Sequence, residues 1–275
     1  MVDTRTDYSA DAVAAARAVM LELVRLLGEY HDGIVIVGGW VPELLLPLAR
    51  PGHIGSTDVD LALDHRRISE AGYQTICEHL LRHGYVAGTQ PFIFFREVVV
   101  AGRPIPVKVD FLAGEYGGAG RSHRTQPVQD VAARKARGCD LAFELNTQVK
   151  IEGTLPGGGL DAAEVRVAGI VPFLVMKGMA LHDRLKPKDA WDIYFCVTNY
   201  PGGLDALVRE FRPHLAHGLV AEGLRKIREK FLSPTHIGPK SVADFEEITD
   251  REARDLRQRD AFERVDHLLG RLGVA

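Results

Sequence analysis

A pair of aspartates inside an otherwise apolar strand is the feature that most restricts how this chain can fold. The segment "TDVDLAL" alternates polar and apolar residues, which predicts a β-strand whose acidic face carries Asp58 and Asp60. The opposite face, with Val59, Leu61 and Leu63, is apolar and suited to a core. Two carboxylates on such a face either point into a solvent-lined cleft or bind something charged.

The elements around this strand follow from the same patterns. Apolar residues at helical spacing from Ser9 to about Glu29 predict a first helix. "GIVIVGG" predicts a strand ended by Gly38 and Gly39, and "WVPELLLPLA" predicts a short helix after it. A helix in "ISEAGYQTICEHLLRHGY" ends at Gly84, and "FIFFREVVV" and "PVKVDFLAG" predict a hairpin around "AGRPI".

The second half of the chain changes from strands to helices. After a glycine-rich loop, "EYGGAGRSHRTQPVQ", the segments "LAFEL", "QVKIEG" and "EVRVAGI" predict three more strands, and from Pro172 onward the pattern is helical. We therefore expect an α/β (α+β) protein, with a mixed sheet and flanking helices in residues 1–168 and a helical lobe in residues 169–275.

Composition excludes several classes of protein. The 275 residues carry a formal net charge of −3, so nucleic-acid binding would need a local basic patch rather than an overall basic field. The three cysteines, Cys77, Cys139 and Cys196, are far apart and favour neither a disulfide framework nor a zinc site, which points to a reducing cytoplasm. We expect no secretory signal and no membrane anchor, because the apolar runs are too short to span a bilayer.

A third carboxylate, Asp110 in "VKVDFL", shares a predicted strand face with Lys108. If this strand pairs with "TDVDLAL", three carboxylates lie on one side of a sheet. Two like charges about 4 Å apart repel by roughly 4 kcal/mol at an effective dielectric near 20, so such a group favours a divalent cation or a raised pKa. Magnesium, or manganese in its place, suits these oxygen ligands. The alternative is that the aspartates are solvated strand ends or caps.

The diglycine before the acidic strand favours the first interpretation. Glycines at a strand end let a backbone approach a phosphate and expose N–H groups at the start of the next helix. "VGGW" followed by "STDVDLAL" and then "VKVDFL" resembles the nucleotidyltransferase fold of polymerase-beta-like enzymes. The resemblance implies that Asp58, Asp60 and Asp110 bind magnesium, that Gly38 and Gly39 contact the phosphates of an NTP, and that Asp110 helps to activate the attacking hydroxyl.

The helical half of the sequence restricts the resemblance to one group of proteins with this fold. "VMKGMALHDRLKPKDAWDIYFCV" is similar to the lysine motif and the downstream Arg, Lys, Asp-x-x-Asp segment of AbiEii-like and MenT-like nucleotidyltransferase toxins. It implies that Lys177 contacts nucleotide phosphates and that Asp192, or Asp189 in its place, completes the pocket. Ser56 matches a serine or threonine that precedes the carboxylate pair in these toxins. A toxin of a type IV toxin–antitoxin system also implies a cognate antitoxin as partner.

The spacing of these residues is compatible with such roles. Lys177 and Arg184, seven residues apart, would share one helix face and offer positive charge to a triphosphate. The alternative for Lys177 is that its side chain extends from an apolar helix to solvent. One departure concerns an arginine that many of these toxins carry before the carboxylate pair, since His53 and its neighbours occupy that place here and Arg50 is the nearest arginine.

The acceptor is indicated by one basic segment, "RSHRTQPVQDVAARKARG". Its residues Arg134, Lys135 and Arg137 could neutralise RNA phosphates, and the MenT-like toxins suggest the 3′ end of a tRNA as acceptor. The alternative is a solvated helix face. A small molecule such as an aminoglycoside, or a protein hydroxyl, remains open as acceptor, and the modest aromatic content shows no clear base-stacking platform. A non-catalytic nucleotide-binding relative is a third possibility, against which the intact aspartates argue.

Overall fold

The computed structural model describes residues 4–68, 76–114, 125–128 and 131–274, with the backbone alone at 65, 125–128 and 131–135. The chain forms two compact units, each assembled from separate stretches of sequence. The sheet unit comprises Ser9–Leu44 and Gly55–Gly169. The helical unit comprises Met1–Tyr8, Leu45–Ile54 and Ile170–Ala275.

The strands of the sheet unit form one mixed sheet. Within the described residues they are β1 (Ile34–Val37), β2 (Asp58–Leu63), β3 (Tyr85–Ala87), β4 (Ile93–Val100), β5 (Arg103–Ala113), β6 (Thr125–Val128), β7 (Val131–Lys135), β8 (Asn146–Thr154) and β9 (Leu160–Ala168). Their order is β3-β4-β5-β2-β1-β9-β8, and β7 pairs with β5 and β6. Strands β2 and β5 are parallel, whereas β4 and β5 form the predicted antiparallel hairpin. The predicted mixed sheet is therefore confirmed.

The helices of the sheet unit are short except for the first. They are α1 (Ala10–Leu26), α2 (Val41–Leu45), α3 (His65–Ile68), α4 (Ile76–Arg82) and α5 (Cys139–Glu144). The hydroxyl of Ser9 accepts a hydrogen bond from the Ala12 N–H at 3.2 Å and so caps the N-terminus of α1. This helix packs its alanine- and leucine-rich side against β4, β5, β8 and β9. Val59, Leu61 and Leu63 of β2 are buried, so the acidic side of β2 is the opposite one.

Two predictions of local structure are wrong. "LAFEL" lies in helix α5 and the turn after it, not in a strand, because five residues with buried Leu141 and Ala142 fit either periodicity. Gly138, with φ of +88°, allows the turn from which the helix begins. The segment predicted as a loop after Gly114 contains strand β6, although residues 115–124 lie outside the described part.

The helical unit contains the predicted C-terminal helices. These are α6 (Ile170–Arg184), α7 (Pro187–Asn199), α8 (Gly203–Phe211), α9 (Gly218–Lys230), α10 (Ile237–Phe245) and α11 (Arg251–Arg271). Helix α6 packs against α7 and α9, and a Cβ at Gly178 would lie 2.5 Å from the carbonyl oxygen of Gly223, so glycine lets these backbones approach. A search of the described helices finds none with the length and apolar character that a membrane crossing needs.

Candidate functional site

The acidic side of the sheet brings the predicted carboxylates together. In the parallel ladder of β2 and β5, Asp60 pairs with Asp110 and Asp58 pairs with Lys108. Directly paired residues of neighbouring strands point to the same face of a sheet. Asp58, Asp60 and Asp110 therefore share one face with Lys108, as the alternation of the sequence predicts. We call these four residues the acidic face.

Each end of the acidic face has a polar partner of its own. The Ser56 hydroxyl donates to Asp58 Oδ1 at 2.6 Å, and the Trp40 indole N–H donates to the backbone oxygen of Asp58 at 2.7 Å. The Lys108 ammonium lies 2.5 Å from Asp110 Oδ2, and Asp110 is buried. The residue predicted to contact nucleotide, Ser56, thus orients the first aspartate, and Lys108 offsets the charge of the last.

The absence of a side chain at Gly38 leaves the space that the Asp60 carboxylate occupies. The turn after β1 is a single 3-10 turn over Gly38–Trp40, and Gly38 has φ of +70°. A Cβ at Gly38 would lie 1.9 Å from Asp60 Oδ2, so no other residue fits against this carboxylate. Gly39 is buried in the same turn. The diglycine predicted to contact phosphates therefore also fixes the space around the acidic face.

The carboxylates of the acidic face are of the chemical type that suits a magnesium ion. All three are carboxylates, the ligands that this ion prefers, and they stand on adjacent strands of one face. Among the side chains that the structure describes, no group of three or more His, Cys, Asp or Glu residues already converges on one point. Asp58, Asp60 and Asp110 are the residues that would hold such an ion.

A second charged group lies in the helical unit. Lys177 Nζ lies 2.8 Å from Asp189 Oδ1 and 2.6 Å from Asp192 Oδ2, and Arg184 Nε lies 2.7 Å from Asp189 Oδ2. The prediction that Lys177 and Arg184 share a helix face is confirmed, because both reach Asp189. Lys177 is only 7% exposed, so the interpretation that it extends to solvent is wrong.

Two members of this group were not expected from the sequence. Lys188 Nζ lies 2.9 Å from Asp192 Oδ1, and His53 Nε2 lies 2.9 Å from the same oxygen. His53 comes from the Leu45–Ile54 stretch, whereas Arg50 donates to the carbonyls of Ala49 and Pro47 nearby. We call these residues the lysine cluster: His53, Lys177, Arg184, Lys188, Asp189 and Asp192.

Neighbouring charges set the ionisation of the lysine cluster. Burial would raise the pKa of Asp192, but Lys177, Lys188 and the His53 hydrogen bond hold it well below its usual value. Burial would likewise lower the pKa of Lys177, but the two aspartates outweigh this effect and raise it. The pKa of Lys188 is lowered, mainly by burial.

His53 is neutral within this cluster. Its pKa falls to about 4, first because it is buried and then because Lys188 is close, while the Asp192 carboxylate offsets part of the shift. Because an ionised carboxylate only accepts hydrogen bonds, the proton on His53 Nε2 is donated to Asp192. The Trp191 and Phe195 rings pack around the imidazole at centroid distances of 5.0 and 4.9 Å.

The residues predicted to bind RNA are only partly described. Arg134 and Lys135 lie in β7, which pairs with the end of β5, and their side chains lie outside the described part. Arg137 follows β7 and is exposed. The alternative that this basic segment is a helix face is wrong at residues 131–135, which form a strand.

Comparison with known proteins identifies the family. The model of the family described as nucleotidyl transferase AbiEii toxin, type IV TA system, matches residues 55–271. This range is well over half of the chain and includes the acidic face as well as most of the lysine cluster. Searches of curated proteins and of solved structures give no match. The chain belongs to the AbiEii family of nucleotidyltransferases, the toxins of type IV toxin–antitoxin systems.

Proposed function

We propose that this nucleotidyltransferase transfers a nucleoside monophosphate from an NTP to a hydroxyl of RNA, at the 3′ end of a tRNA, and that it needs magnesium. The observation that carries the proposal is the pairing of Asp60 with Asp110 on the acidic face, beside a glycine turn shaped around Asp60. In this role the protein would be the toxin of a pair and would have a cognate antitoxin as partner.

The reaction joins the acceptor oxygen to the α-phosphorus of the NTP. The bond from that phosphorus to its bridging oxygen breaks, and pyrophosphate leaves with the electron pair. Magnesium held by Asp58, Asp60 and Asp110 would supply the positive charge that stabilises the pentavalent transition state. Asp110, buried at the end of the acidic face, is the residue we assign to accept the proton of the attacking hydroxyl.

Lys108 has a separate role in this proposal. Its ammonium offsets the charge of Asp110 in the absence of substrate, and its side chain is about one-third exposed at 36%. Because this ammonium is partly exposed on the same face as the aspartates, Lys108 is the residue that would bind a phosphate of the substrate.

The lysine cluster is suited to bind negatively charged phosphates. It contains three basic side chains, Lys177, Arg184 and Lys188, against two acids, Asp189 and Asp192. The bases outnumber the acids by one, and a cationic side chain favours an anion as partner. Arg184 is the accessible member, with a side chain 48% exposed, and we assign it with Lys177 to phosphate binding.

An RNA acceptor is supported by the basic segment that ends at Arg137. The segment follows β5 in the chain, and β7 pairs with Leu112 and Ala113, two and three residues after Asp110. A basic segment so close in register to the acidic face is suited to neutralise acceptor phosphates. Replacing Arg134, Lys135 and Arg137 by Ala should reduce RNA modification and flatten its salt dependence.

A labelling experiment tests this function, because it shows which molecule receives the nucleotide. The protein is incubated with magnesium and each α-phosphate-labelled NTP in turn, with total RNA or with the protein alone, and the products are separated on denaturing gels. Label at the size of tRNA, absent after chelation with EDTA, is the expected result. Label in protein, or only in a small molecule, would contradict the RNA acceptor and favour the alternative acceptors.

A further inference from the structure

The acidic face continues across the sheet as a row of directly paired residues. Val86 of β3 pairs with Phe95 of β4, Phe95 pairs with Lys108 of β5, and Lys108 pairs with Asp58 of β2. Because paired residues share a face, one line across four strands leads from two apolar side chains to the carboxylates. The nucleotidyltransferase chemistry assigned so far uses only the end of this row.

The apolar part of the row is exposed. Val86 is 65% exposed and Phe95 is 39% exposed, and Val99 farther along the same side of β4 is 64% exposed. Their neighbours Phe94 and Val98, which point to the α1 side, are buried as an ordinary core requires. On this face Phe95 has apolar Val86 and Ile93 on one side, whereas Glu97 separates it from Val99. An exposed aromatic side chain beside other apolar side chains is a common mark of a binding surface.

The Phe95 ring lies against a glycine of the neighbouring strand end. A Cβ at Gly88, just after β3, would lie 3.2 Å from Phe95 Cε2 and 3.1 Å from Ile93 Cγ2. The ring therefore packs close to the backbone of Gly88, where a side chain would displace it. The ring thus has one edge against this backbone and is partly exposed, which leaves surface for a base to stack on.

The distance from Phe95 to Asp58 along the row of paired residues matches the length of a nucleotide. Neighbouring strands lie about 4.8 Å apart, so the backbones at Phe95 and Asp58 are roughly 10 Å from each other. A base placed on Phe95 would extend its sugar and phosphate past Lys108 toward the carboxylates. Lys108 offers the positive charge that such a phosphate needs.

We propose that Phe95 is a stacking platform for a nucleobase, with Val86 beside it and Lys108 between it and the carboxylates. The base belongs either to the incoming NTP or to the terminal nucleotide of the acceptor. This proposal rests on the nucleotidyltransferase activity, and in its second form also on the proposed RNA acceptor. Stacking is tolerant of base identity, so the platform would bind any of the four bases.

The experiment compares ring-bearing and ring-free variants by binding. Phe95→Leu keeps an apolar side chain but removes the ring, Phe95→Trp keeps a ring, and Val99→Ala removes exposed apolar surface from the same side of β4 as a matched control. Dissociation constants are measured calorimetrically for each NTP, for inorganic tripolyphosphate and for a short single-stranded RNA. Thermal unfolding of each variant shows that it is folded.

We expect Phe95→Leu to weaken the binding of the NTPs, or of the RNA, by about tenfold, while Phe95→Trp and Val99→Ala stay near the wild type. Tripolyphosphate, which has no base, should bind all variants equally. A loss confined to NTPs assigns the platform to the incoming nucleotide, and a loss confined to RNA assigns it to the acceptor.

Two results would contradict the proposal that Phe95 is a stacking platform. One is binding of NTPs and RNA by Phe95→Leu that is unchanged, or weakened no more than by Val99→Ala. The other is a change of oligomeric state in Phe95→Leu with both affinities retained, because the surface would then be an interface between copies of the chain. Since NTP binding is measured without transfer, failure of the proposed RNA acceptor would not be mistaken for failure of the platform.

Discussion

The imidazole of His53 donates a hydrogen bond of 2.9 Å to Asp192, and both side chains are completely buried. Asp192 also accepts from Lys188, and it forms an ion pair with Lys177. The carboxylate is thus held from three directions, by the Leu45–Ile54 stretch as well as by helices α6 and α7. His53 is a positioning residue for this cluster and touches no reacting atom in the proposed reaction.

Two substitutions of His53 should separate the effect of its hydrogen-bond donor from the effect of its ring volume. His53→Phe keeps a ring among Trp191 and Phe195 but removes the donor, and we expect it to lower the free energy of unfolding by about 1–3 kcal/mol. His53→Gln keeps a donor and should lose less. The measurement is urea unfolding, with the transfer rate and the KM for NTP determined beside it. A transfer rate and KM unchanged in His53→Phe would contradict the positioning role.

Stability should fall in mild acid because of His53. The folded protein binds this proton only near pH 4, whereas the unfolded chain binds it near pH 6.5, so the unfolded state takes up more protons between these values. From pH 6.5 to 4 the loss amounts to about 3 kcal/mol. The lowered pKa of Asp192 contributes stability that is lost only below its unfolded value of 3.8, outside this window.

Wild type and His53→Gln are compared for this purpose by urea unfolding at several pH values from 7 to 4. The difference between their free energies of unfolding should shrink, or change sign in favour of the variant, as the pH falls. Lys188 and Lys177 are present in both proteins, so their effects on the slope are shared. Parallel curves would show that His53 accepts its proton at the ordinary pH in the folded state.

Removing a carboxylate from the acidic face should abolish transfer without unfolding the protein. Asp58→Ala loses one of the proposed magnesium ligands, yet it also relieves repulsion among like charges, so we expect a stability within about 1 kcal/mol of the wild type. Transfer is measured with labelled NTP, and Glu164→Ala, an exposed acid of β9, is the matched control. Full activity of Asp58→Ala would exclude this aspartate from the site.

Gly38 should tolerate no side chain. In Gly38→Ala the new Cβ would lie 1.9 Å from Asp60 Oδ2, and the φ of +70° is itself unfavourable for alanine by about 1–2 kcal/mol. We expect both stability and transfer to fall. Gly157→Ala is the control, since nothing lies within 4 Å of its Cβ position. If the two variants behave alike, the turn does not shape the acidic face.

Short-range patterns predicted much of this structure. Alternation along β2 placed Asp58 and Asp60 on one face, and the spacing of Lys177 and Arg184 placed both on one side of α6, because these relations depend only on the period of a strand or helix. That Asp110 joins the same face depends on the pairing of β2 with β5, which the sequence offered only as a condition. The sequence favoured Asp192 over Asp189 for the site, and in the structure both contact Lys177.

Relations across long stretches of sequence were not predictable in the same way. The contact of His53 with Asp192 joins residues 139 positions apart, and no local period reports it. The low aromatic content gave no sign of Phe95, because a stacking surface needs one well-placed ring and its exposure follows from the pairing of three strands. No pattern in the sequence around Lys188 indicates that it is buried, whereas the packed structure leaves it only 4% exposed.

The insertion of Leu45–Ile54 into the sequence of the sheet unit affects how the protein is made. Ribosomes add about 5–20 residues per second, so His53 is synthesised several seconds or more before Asp192. Once Asp110 has been added, the nascent chain contains the residues of the acidic face but still lacks the partners of His53. The lysine cluster can close only when α7 emerges, which delays its assembly until most of the polypeptide has been translated.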